Sequence, residues 1–327
     1  MNAWLNALTG LNSTGILVTV AAVEGSGPRE PGAKMFVTDT GLFDTIGGGH
    51  LELCATRVAR EMLGLSAVSL RATRRLERYS LGPALGQCCG GVVHLVFERI
   101  EPDSGSVLRL AGRLAEGKDS WRLVSIDSVR QTELLTSAAP DWQAGCTVFA
   151  DEHGQRWMRD PCPAIRPHLM LLGAGHVGAA LVRALADLPC RVTWVDERIE
   201  QFPAERPVNV RLEITDTPEA CIAAAPAGVS FLVMTHSHAL DQVLTEHILR
   251  RTDFAWFGLI GSKTKRVLFE RRLLERGIAQ SQLDRMVCPI GISGIAGKSP
   301  AVIALAVAAQ LMQVWELRNQ ESHGNSF

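Results

Sequence analysis

The sequence predicts an α/β protein of two domains, a mixed α/β N-terminal domain followed by a doubly wound parallel-sheet domain. In the second half, continuous apolar segments alternate regularly with helical segments, which is typical of a parallel sheet covered on both faces. Three prolines fall within residues 160–168 (DPCPAIRPH), and proline favours an extended linker. With 327 residues the chain is long enough for two cores. We therefore predict domains at residues 1–160 and 161–327.

The first domain combines strands and helices in no regular order. Apolar runs and alternating apolar and polar residues predict strands at residues 16–24, 34–38, 68–76 and 91–100. Helical patterns occur at residues 2–10, 50–63 and 104–116. Residues 120–160 show only short strand signals. The pattern therefore indicates an α/β or α+β domain and leaves its topology open.

The second domain follows a strand–helix alternation. Strands are predicted at residues 168–173, 190–196, 208–213, 229–234 and 254–259. Helices are predicted between them at residues 176–187, 217–224, 239–250 and 262–276. A long helix closes the chain, because Ser299 is a good N-cap and Pro300 suits the first helical position.

Composition narrows the possible functions. The chain has 33 Lys and Arg against 34 Asp and Glu, a net charge of −1, which disfavours nucleic-acid binding and a polybasic membrane surface. The longest uninterrupted apolar run, residues 301–309, is shorter than the roughly 20 residues that cross a bilayer. The N-terminus lacks the features of a signal peptide, so we expect a cytoplasmic protein with free thiols. Zinc-knuckle spacing of the cysteines is absent.

A glycine-rich turn opens the second domain. Gly173, Gly175 and Gly178 form a G-x-G-x-x-G pattern between an apolar strand and a helix, and the next strand ends at Asp196. This context is typical of a Rossmann dinucleotide-binding turn, in which the helix start faces a phosphate and the acidic residue binds a ribose hydroxyl. A Rossmann domain with an empty or degenerate site has the same turn, so nucleotide binding remains a hypothesis here.

The segment MTHSHALD (234–241) is similar to the T-H-x-H-x-D-H zinc motif of metallo-β-lactamase-type hydrolases. Asp241 comes one residue too late for that motif, so we expect no hydrolytic metal site. His236 and His238 follow an apolar strand at the end where doubly wound sheets bind ligands. We therefore predict that both histidines lie in a ligand crevice.

Two further turns carry glycine and lysine. PIGISGIAGKSP (289–300) fails as a P-loop, because the pattern needs glycine where Ile292 stands. FGLIGSKTKR (257–266) places Lys263 at a strand-to-helix turn, where it would suit a phosphate. The alternative is a solvated basic helix face.

Three glycine-rich loops in the first domain contain residues suited to ligand binding. They span residues 24–35, 45–53 and 85–93 and carry Arg29, His50, Glu52, Gln87, Cys88 and Cys89. Arginine grips a phosphate or planar heterocycle bidentately. A thiol in cationic surroundings ionises more readily and becomes a soft metal ligand or a nucleophile. We interpret the adjacent pair Cys88 and Cys89 as functional, whereas bystander thiols in tight turns are the alternative. Cys54, Cys190 and Cys221 fit apolar structural patterns.

In this order, the motifs resemble those of the XdhC/CoxI family, accessory factors for molybdenum hydroxylases such as xanthine dehydrogenase. The resemblance covers most of the chain and rests on GSGPREPGAKM, IGGGHLE, ALGQCCGG, LLGAGHVG, VDER, MTHSHALD, LIGSKTKR and PIGISGIAGKSPAVIALA. CoxI-like members typically have a cysteine after the second glycine run. Gly49 and His50 stand there in this chain, which is similar to the xanthine dehydrogenase branch.

The resemblance implies an XdhC/CoxI domain followed by a Rossmann-like domain, in a chaperone rather than an enzyme. Such proteins bind and protect the molybdenum cofactor (molybdopterin), support its sulfuration with a cysteine desulfurase, and insert it into xanthine dehydrogenase of purine catabolism. Implied partners are that enzyme's molybdenum subunit, the desulfurase and cofactor-biosynthesis proteins, and a homodimer is expected. Cys89, ranked first, or Cys88 would contact molybdenum. Gly173 and its turn would hold the pterin's phosphate or a dinucleotide.

One enzyme hypothesis competes with this interpretation, an NAD(P)-dependent oxidoreductase that uses the Rossmann domain. The glycine-rich turn supports it. The chain has only one tyrosine, Tyr79, and shows no Tyr-x-x-x-Lys arrangement. We therefore prefer the accessory-factor hypothesis.

Overall fold

The chain forms two compact units, residues 2–165 and 166–327, and each is described by itself. The computed structural model describes residues 3–10, 13–65, 73–82, 90–102, 104–128, 132–136 and 145–324. The units divide after Ile165, whereas the sequence placed the boundary after residue 160. Strand pairing continues beyond residue 160 to Cys162. The strand can include Pro161 because it pairs there with Trp121 on one side only, and proline is tolerated where a strand is locally at an edge.

The N-terminal unit contains two antiparallel sheets. The five-stranded sheet has the order β3-β2-β1-β5-β4, with β1 (Gly15–Glu24), β2 (Lys34–Val37), β3 (Leu42–Asp44), β4 (Arg74–Ser80) and β5 (Val92–Ile100). The four-stranded sheet has the order β7-β6-β9-β8, with β6 (Ser120–Ser125), β7 (Glu133–Leu135), β8 (Thr147–Ala150) and β9 (Arg156–Cys162). Among the described residues of this unit, three helices accompany the sheets: α1 (Ala3–Gly10), α2 (Gly49–Leu63) and α3 (Gly105–Ala115).

The larger sheet is buried on both faces. On one face, Ile16 and Val18 of β1 form a core with Leu51 and Ala55 of α2. The opposite face packs on α1 and α3 at one end and on the smaller sheet at the other. The strand predicted at residues 68–76 lies at Arg74–Ser80, while residues 66–72 fall outside the described part of the chain.

A network of five buried charges links the strands of the two sheets. Asp160 of β9 accepts hydrogen bonds from Lys34 Nζ (2.6 Å) and Arg122 Nη1 (3.0 Å). Glu98 of β5 pairs with the same Arg122 and with Arg74 Nη2 (3.0 Å). Burial alone would raise the pKa of Glu98, but Arg122 and Arg74 outweigh it and hold that pKa below its ordinary value.

The C-terminal unit is a six-stranded parallel sheet of order β12-β11-β10-β13-β14-β15. Its strands are β10 (His168–Leu172), β11 (Arg191–Asp196), β12 (Val210–Ile214), β13 (Ser230–Val233), β14 (Trp256–Leu259) and β15 (Met286–Val287). Its helices are α4 (His176–Ala184), α5 (Pro218–Ala224), α6 (His238–Leu249), α7 (Lys263–Glu275), α8 (Gln280–Leu283) and α9 (Pro300–Gly324). The strand order reverses at β10, which confirms the predicted doubly wound α/β fold and leaves a crevice at the strands' carboxyl ends.

Separate apolar cores cover the two faces of this sheet. α5 to α8 pack on one face around Phe231 and Phe257, and α4 and α9 pack on the other around Trp194. By length and composition, Pro300–Arg318 of α9 would also suit a membrane-spanning helix. Of its most apolar window, 33% is buried within the unit; Leu311 and Trp315 lie in the core, and Trp315 donates to Ser230 Oγ (3.1 Å).

Candidate functional sites

The three glycines after β10 have three different surroundings. Gly173 has φ +121°, and a Cβ there would lie 2.4 Å from the Met234 carbonyl oxygen. A Cβ on Gly178 would lie 2.5 Å from the Gly173 carbonyl oxygen, so α4 approaches the turn too closely for a side chain. Gly175, by contrast, has open space above it, with no atom within 4 Å of a Cβ among the described residues. In a dinucleotide-binding turn, the first glycine permits the tight turn, the second leaves an open approach for the ligand and the third allows close packing of the helix.

Asp196 lies at the end of β11 beside this turn and is buried. Its Oδ2 accepts hydrogen bonds from Ala174 N (2.7 Å) and Arg198 Nη2 (2.9 Å). Its Oδ1 accepts from Arg198 N (3.0 Å) and Arg198 Nε (2.9 Å). Burial works to raise the pKa of Asp196, but these hydrogen bonds prevail and lower it. The carboxylate is therefore ionised at neutral pH and anchors the glycine turn.

A cavity of about 100 Å³ opens at the carboxyl ends of β10 to β13. Ligand sites for drug-sized molecules typically reach about 300–1,000 Å³, so this cavity is too small to enclose a whole ligand of that size. Its lining combines apolar walls with carboxylates and hydroxyls: Leu172, Gly173, Val195, Asp196, Glu197, Thr215, Asp216, Pro218, Thr235, His236, Leu240 and Leu244.

The two predicted histidines occupy different positions. His236 lines the cavity, whereas His238 is the exposed first residue of α6 and is not among the lining residues. Asp241 is buried, accepts from Thr235 N (3.0 Å) and Lys265 Nζ (2.6 Å), and thereby joins β13 to α7. Within the described ranges, no group of three or more His, Cys, Asp or Glu side chains could hold a metal ion.

The structure gives the two lysines of the GSKTK turn different surroundings. Lys263 is exposed at the start of α7, so its predicted phosphate contact remains a prediction. Lys265, which was not among the residues predicted from the sequence, is largely buried and pairs with Asp241. Both lysines lie in the first turn of a helix capped by Ser262, so the sequence carries no signal that separates them.

The three glycine-rich loops of the N-terminal unit leave the same end of the larger sheet. β1 ends at Glu24 opposite Val92, where β5 begins, and Ser80 at the end of β4 also faces Val92. Asp44 at the end of β3 faces Met35 at the start of β2. Antiparallel pairing therefore brings loop A (residues 25–33), loop B (residues 45–48) and the two described ends of loop C (residues 81–91) to one end of the sheet.

Close backbone contacts join these loops. A Cβ on Gly91 of loop C would lie 2.3 Å from the Ser26 carbonyl oxygen of loop A. One on Gly47 of loop B, where φ is +120°, would lie 2.5 Å from Pro28 Cβ of loop A. Glycine is required at both contacts, since a side chain at either would push two loops apart.

Arg29 of loop A and Glu52 of α2 hold this end of the unit together. Arg29 donates from Nε and Nη2 to Glu30 and from Nη1 to the Thr45 carbonyl (3.3 Å). Glu52 accepts from Thr45 Oγ1 (2.5 Å) and from two loop amides, while His50 is exposed at the start of α2. Arg29 and Glu52 thus both bind Thr45. Together with His50 they lie at the same end of the larger sheet.

Gln87, Cys88 and Cys89 lie outside the described residues, so their predicted roles remain predictions. The described ends of loop C are joined by a hydrogen bond from Leu81 N to Gly91 O (2.9 Å), next to loop A. Burial raises the pKa of five thiols elsewhere and keeps them protonated: Cys146, Cys162, Cys190, Cys221 and Cys288.

Fold and sites together define a class of protein: a Rossmann-type unit with a cleft at its glycine turn, preceded by an α/β unit whose glycine-rich loops converge. The chain belongs to the XdhC and CoxI family. The family model described as XdhC and CoxI family matches residues 11–79, and the one described as XdhC Rossmann domain matches residues 169–311.

Two comparisons extend this assignment. Escherichia coli K12 YqeB is 29% identical over 175 residues, which cover 53% of this chain and 30% of YqeB. The chain therefore spans less than a third of that relative's length. A Bacillus halodurans structure described as a xanthine dehydrogenase is 21% identical, covers 97% of both chains and has a TM-score of 0.73. This similarity shows a shared fold.

Proposed function

We propose that this protein is an accessory factor for xanthine dehydrogenase that carries the molybdenum cofactor, supports its sulfuration and inserts it into the enzyme. Membership of the XdhC and CoxI family supports the accessory role. The observation that carries the cofactor proposal is the convergence of loops A, B and C at one edge of the N-terminal sheet. The sequences of these loops contain an arginine and two adjacent cysteines, and His50 follows loop B at the start of α2.

The residue types of this edge suit the cofactor as cargo. Thiolate sulfur is a soft ligand for a transition metal, so Cys89 or Cys88 would contact molybdenum. The Arg29 guanidinium is partly exposed, with 38% of its side chain accessible, and would bind a phosphate after releasing Glu30. Gln87, His50 and Glu52 would supply the polar contacts that orient the pterin.

Retention of the cofactor by purified protein tests this site. The full chain is mixed with free molybdenum cofactor and desalted, and molybdenum and pterin are measured in the protein fraction. We expect retention by the wild type and by the matched control Cys221→Ala, whose thiol lies in α5. Cys89→Ala should lose retention. Retention by every variant, including Cys88→Ala, would move the site away from these thiols, and absence of retention by the wild type would refute the cofactor-carrier proposal.

The proposed partners are the molybdenum subunit of xanthine dehydrogenase, a cysteine desulfurase that supplies the sulfur, and cofactor-biosynthesis proteins, with the chaperone acting as a cytoplasmic homodimer. Reconstitution tests the partnership with the enzyme. Cofactor-free xanthine dehydrogenase should gain activity from cofactor-loaded wild-type chain and desulfurase, and less from free cofactor at the same concentration. Equal activation by free cofactor would contradict an insertion role.

A second ligand is proposed for the C-terminal cleft, because the open approach at Gly175 favours a phosphate there. The candidates are the pterin's phosphate and a dinucleotide. A dinucleotide would also be the cofactor of an NAD(P)-dependent oxidoreductase, the alternative function. Analysis of small molecules released from the purified, denatured chain separates these candidates: molybdopterin supports the carrier, and a nicotinamide dinucleotide supports the alternative.

A further inference from the structure

Every acceptor position of the Asp196 carboxylate is in use. A carboxylate offers about four lone-pair positions, two on each oxygen. In Asp196, Oδ2 accepts from Ala174 N and Arg198 Nη2, and Oδ1 accepts from Arg198 N and Arg198 Nε. A ribose hydroxyl therefore finds no acceptor on Asp196 until one of these donors leaves.

The four donors are of two kinds. Ala174 N and Arg198 N are backbone amides, one in the glycine turn and one just after the end of β11, so they stay in place. The other two belong to the Arg198 side chain, of which 27% is exposed, whereas only 4% of the Asp196 side chain is exposed. Rotation of the Arg198 side chain toward solvent frees one acceptor position on each carboxylate oxygen. Two neighbouring hydroxyls, as in the cis-diol of an unmodified ribose, would fill this pair of positions.

The rest of the cavity favours hydrogen-bond donors over anions. Besides Asp196, its lining contains the carboxylates of Glu197 and Asp216, both in exposed residues that have no ion pair among the described side chains. The lining residues include no lysine and no arginine, and the neighbouring cation of Arg198 is paired with Asp196. A phosphate on the ribose 2′-oxygen would bring two negative charges beside these carboxylates, while a hydroxyl or an exocyclic amine would donate to them.

Recognition of ribose hydroxyls by the acidic residue after the second strand is typical of Rossmann turns. We propose that in this chain the Arg198 side chain occupies the diol position until a ribonucleoside diphosphate displaces it. The inference rests on the second ligand site proposed above and adds how that site is regulated, and it is independent of the molybdenum-cofactor site. Arg198 is a gating residue in this arrangement, because it competes with the ligand for Asp196. A dinucleotide with an unphosphorylated adenosine ribose belongs to the same ligand class.

Calorimetric titration of the full chain with ADP, 2′-deoxy-ADP and 2′-phospho-ADP tests the proposal. Wild type should bind ADP about tenfold or more tightly than either analogue, the difference expected for a lost hydrogen bond to a charged group. Arg198→Met removes the competing donors and should tighten ADP binding several-fold while preserving the preference. Asp196→Asn should abolish the preference. Arg211→Met, which removes an exposed Arg211–Glu213 pair on β12, is the matched control and should leave all three affinities unchanged.

Each other outcome has a separate meaning. Equal affinity for the three nucleotides would refute diol recognition and leave the nucleotide site standing. Tighter binding of 2′-phospho-ADP that is lost in Arg198→Met would make Arg198 a phosphate ligand and overturn its gating role. Failure of all three nucleotides to bind the wild type and Arg198→Met would refute a nucleotide occupant of the cleft, and the diol inference with it. Thermal unfolding confirms that each variant is folded.

Discussion

Replacing Asp160 with asparagine perturbs the buried charge network of the N-terminal unit with almost no change in shape. Among the described side chains, the network contains three cations, Lys34, Arg74 and Arg122, and two carboxylates, Asp160 and Glu98. Its net charge is therefore +1, and Asp160→Asn raises it to +2. Lys34 loses its carboxylate partner and keeps the Gly32 carbonyl, while Arg122 keeps Glu98.

The cost follows from burial. The Asp160 side chain is fully buried and that of Lys34 is 5% exposed, so water cannot replace the lost carboxylate. Breaking a buried ion pair by removing one partner costs about 3–5 kcal/mol. For a unit of this size the midpoint of thermal unfolding should fall by roughly 6–20 °C. The double variant Lys34→Met/Asp160→Asn restores the net charge to +1 and should regain part of this loss.

Scanning calorimetry and urea unfolding of the full chain measure the effect. Glu116→Gln is the matched control, because it removes a solvent-exposed pair with Lys118 and should leave the unfolding midpoint unchanged. A midpoint for Asp160→Asn within error of the control would refute the claim that this network stabilises the unit. A double variant less stable than the single would refute the charge argument, since it would show that packing of the Lys34 stem dominates.

Acid provides an independent check on the same network. Because the pKa of Glu98 is lowered in the folded chain, its contribution to stability is fully present above the unfolded value of about 4.3. That contribution is lost as the pH falls below this value toward the folded pKa. The free energy of unfolding of wild type should therefore decline below about pH 4, and a Glu98→Gln variant should show a smaller decline.

Two further pairs of variants test the C-terminal unit. Gly178→Ala should lower the unfolding temperature because its Cβ meets a carbonyl oxygen, whereas Gly175→Ala should leave stability unchanged and weaken ADP binding by obstructing the open approach. Thermal scans and titrations distinguish the two, and a stability loss in both would contradict the assigned roles. Lys265→Met should destabilise the unit by about 3–5 kcal/mol because it leaves Asp241 buried without its cation, while the exposed Lys263→Met should have no measurable effect. Equal urea midpoints for the two lysine variants would refute the distinction.

Much of the fold could be predicted because local patterns carry it. Period-two and period-3.6 patterns of apolar residues located many strands and helices, including α2, within a few residues. The exceptions have physical reasons. β15 has two residues and α8 has four, so neither is long enough to show a period. β4 continues to Ser80, beyond the predicted end at residue 76, because residues 77–80 also pair with β5.

The candidate sites divide in the same way. The sequence singled out Gly173, Gly175 and Gly178 because their spacing alone encodes a turn followed by a helix. It could not show that Arg198 fills every remaining acceptor of Asp196, since that depends on side-chain orientation beside the folded turn. Nor could it distinguish Lys263 from Lys265, because the helix axis and the neighbouring α6 decide which lysine points inward.

By itself, then, the amino-acid sequence determined the α/β class, the glycine-rich turn, the three glycine-rich loops and the family resemblance. Each of these depends on residues close together in the chain. The tertiary structure alone decided which loops meet and which charges pair. Lys34 reaches Asp160 across 126 positions, and Asp241 reaches Lys265 across 24. Such pairings depend on strand order and register, which long-range packing selects, and no local pattern of residue types encodes them.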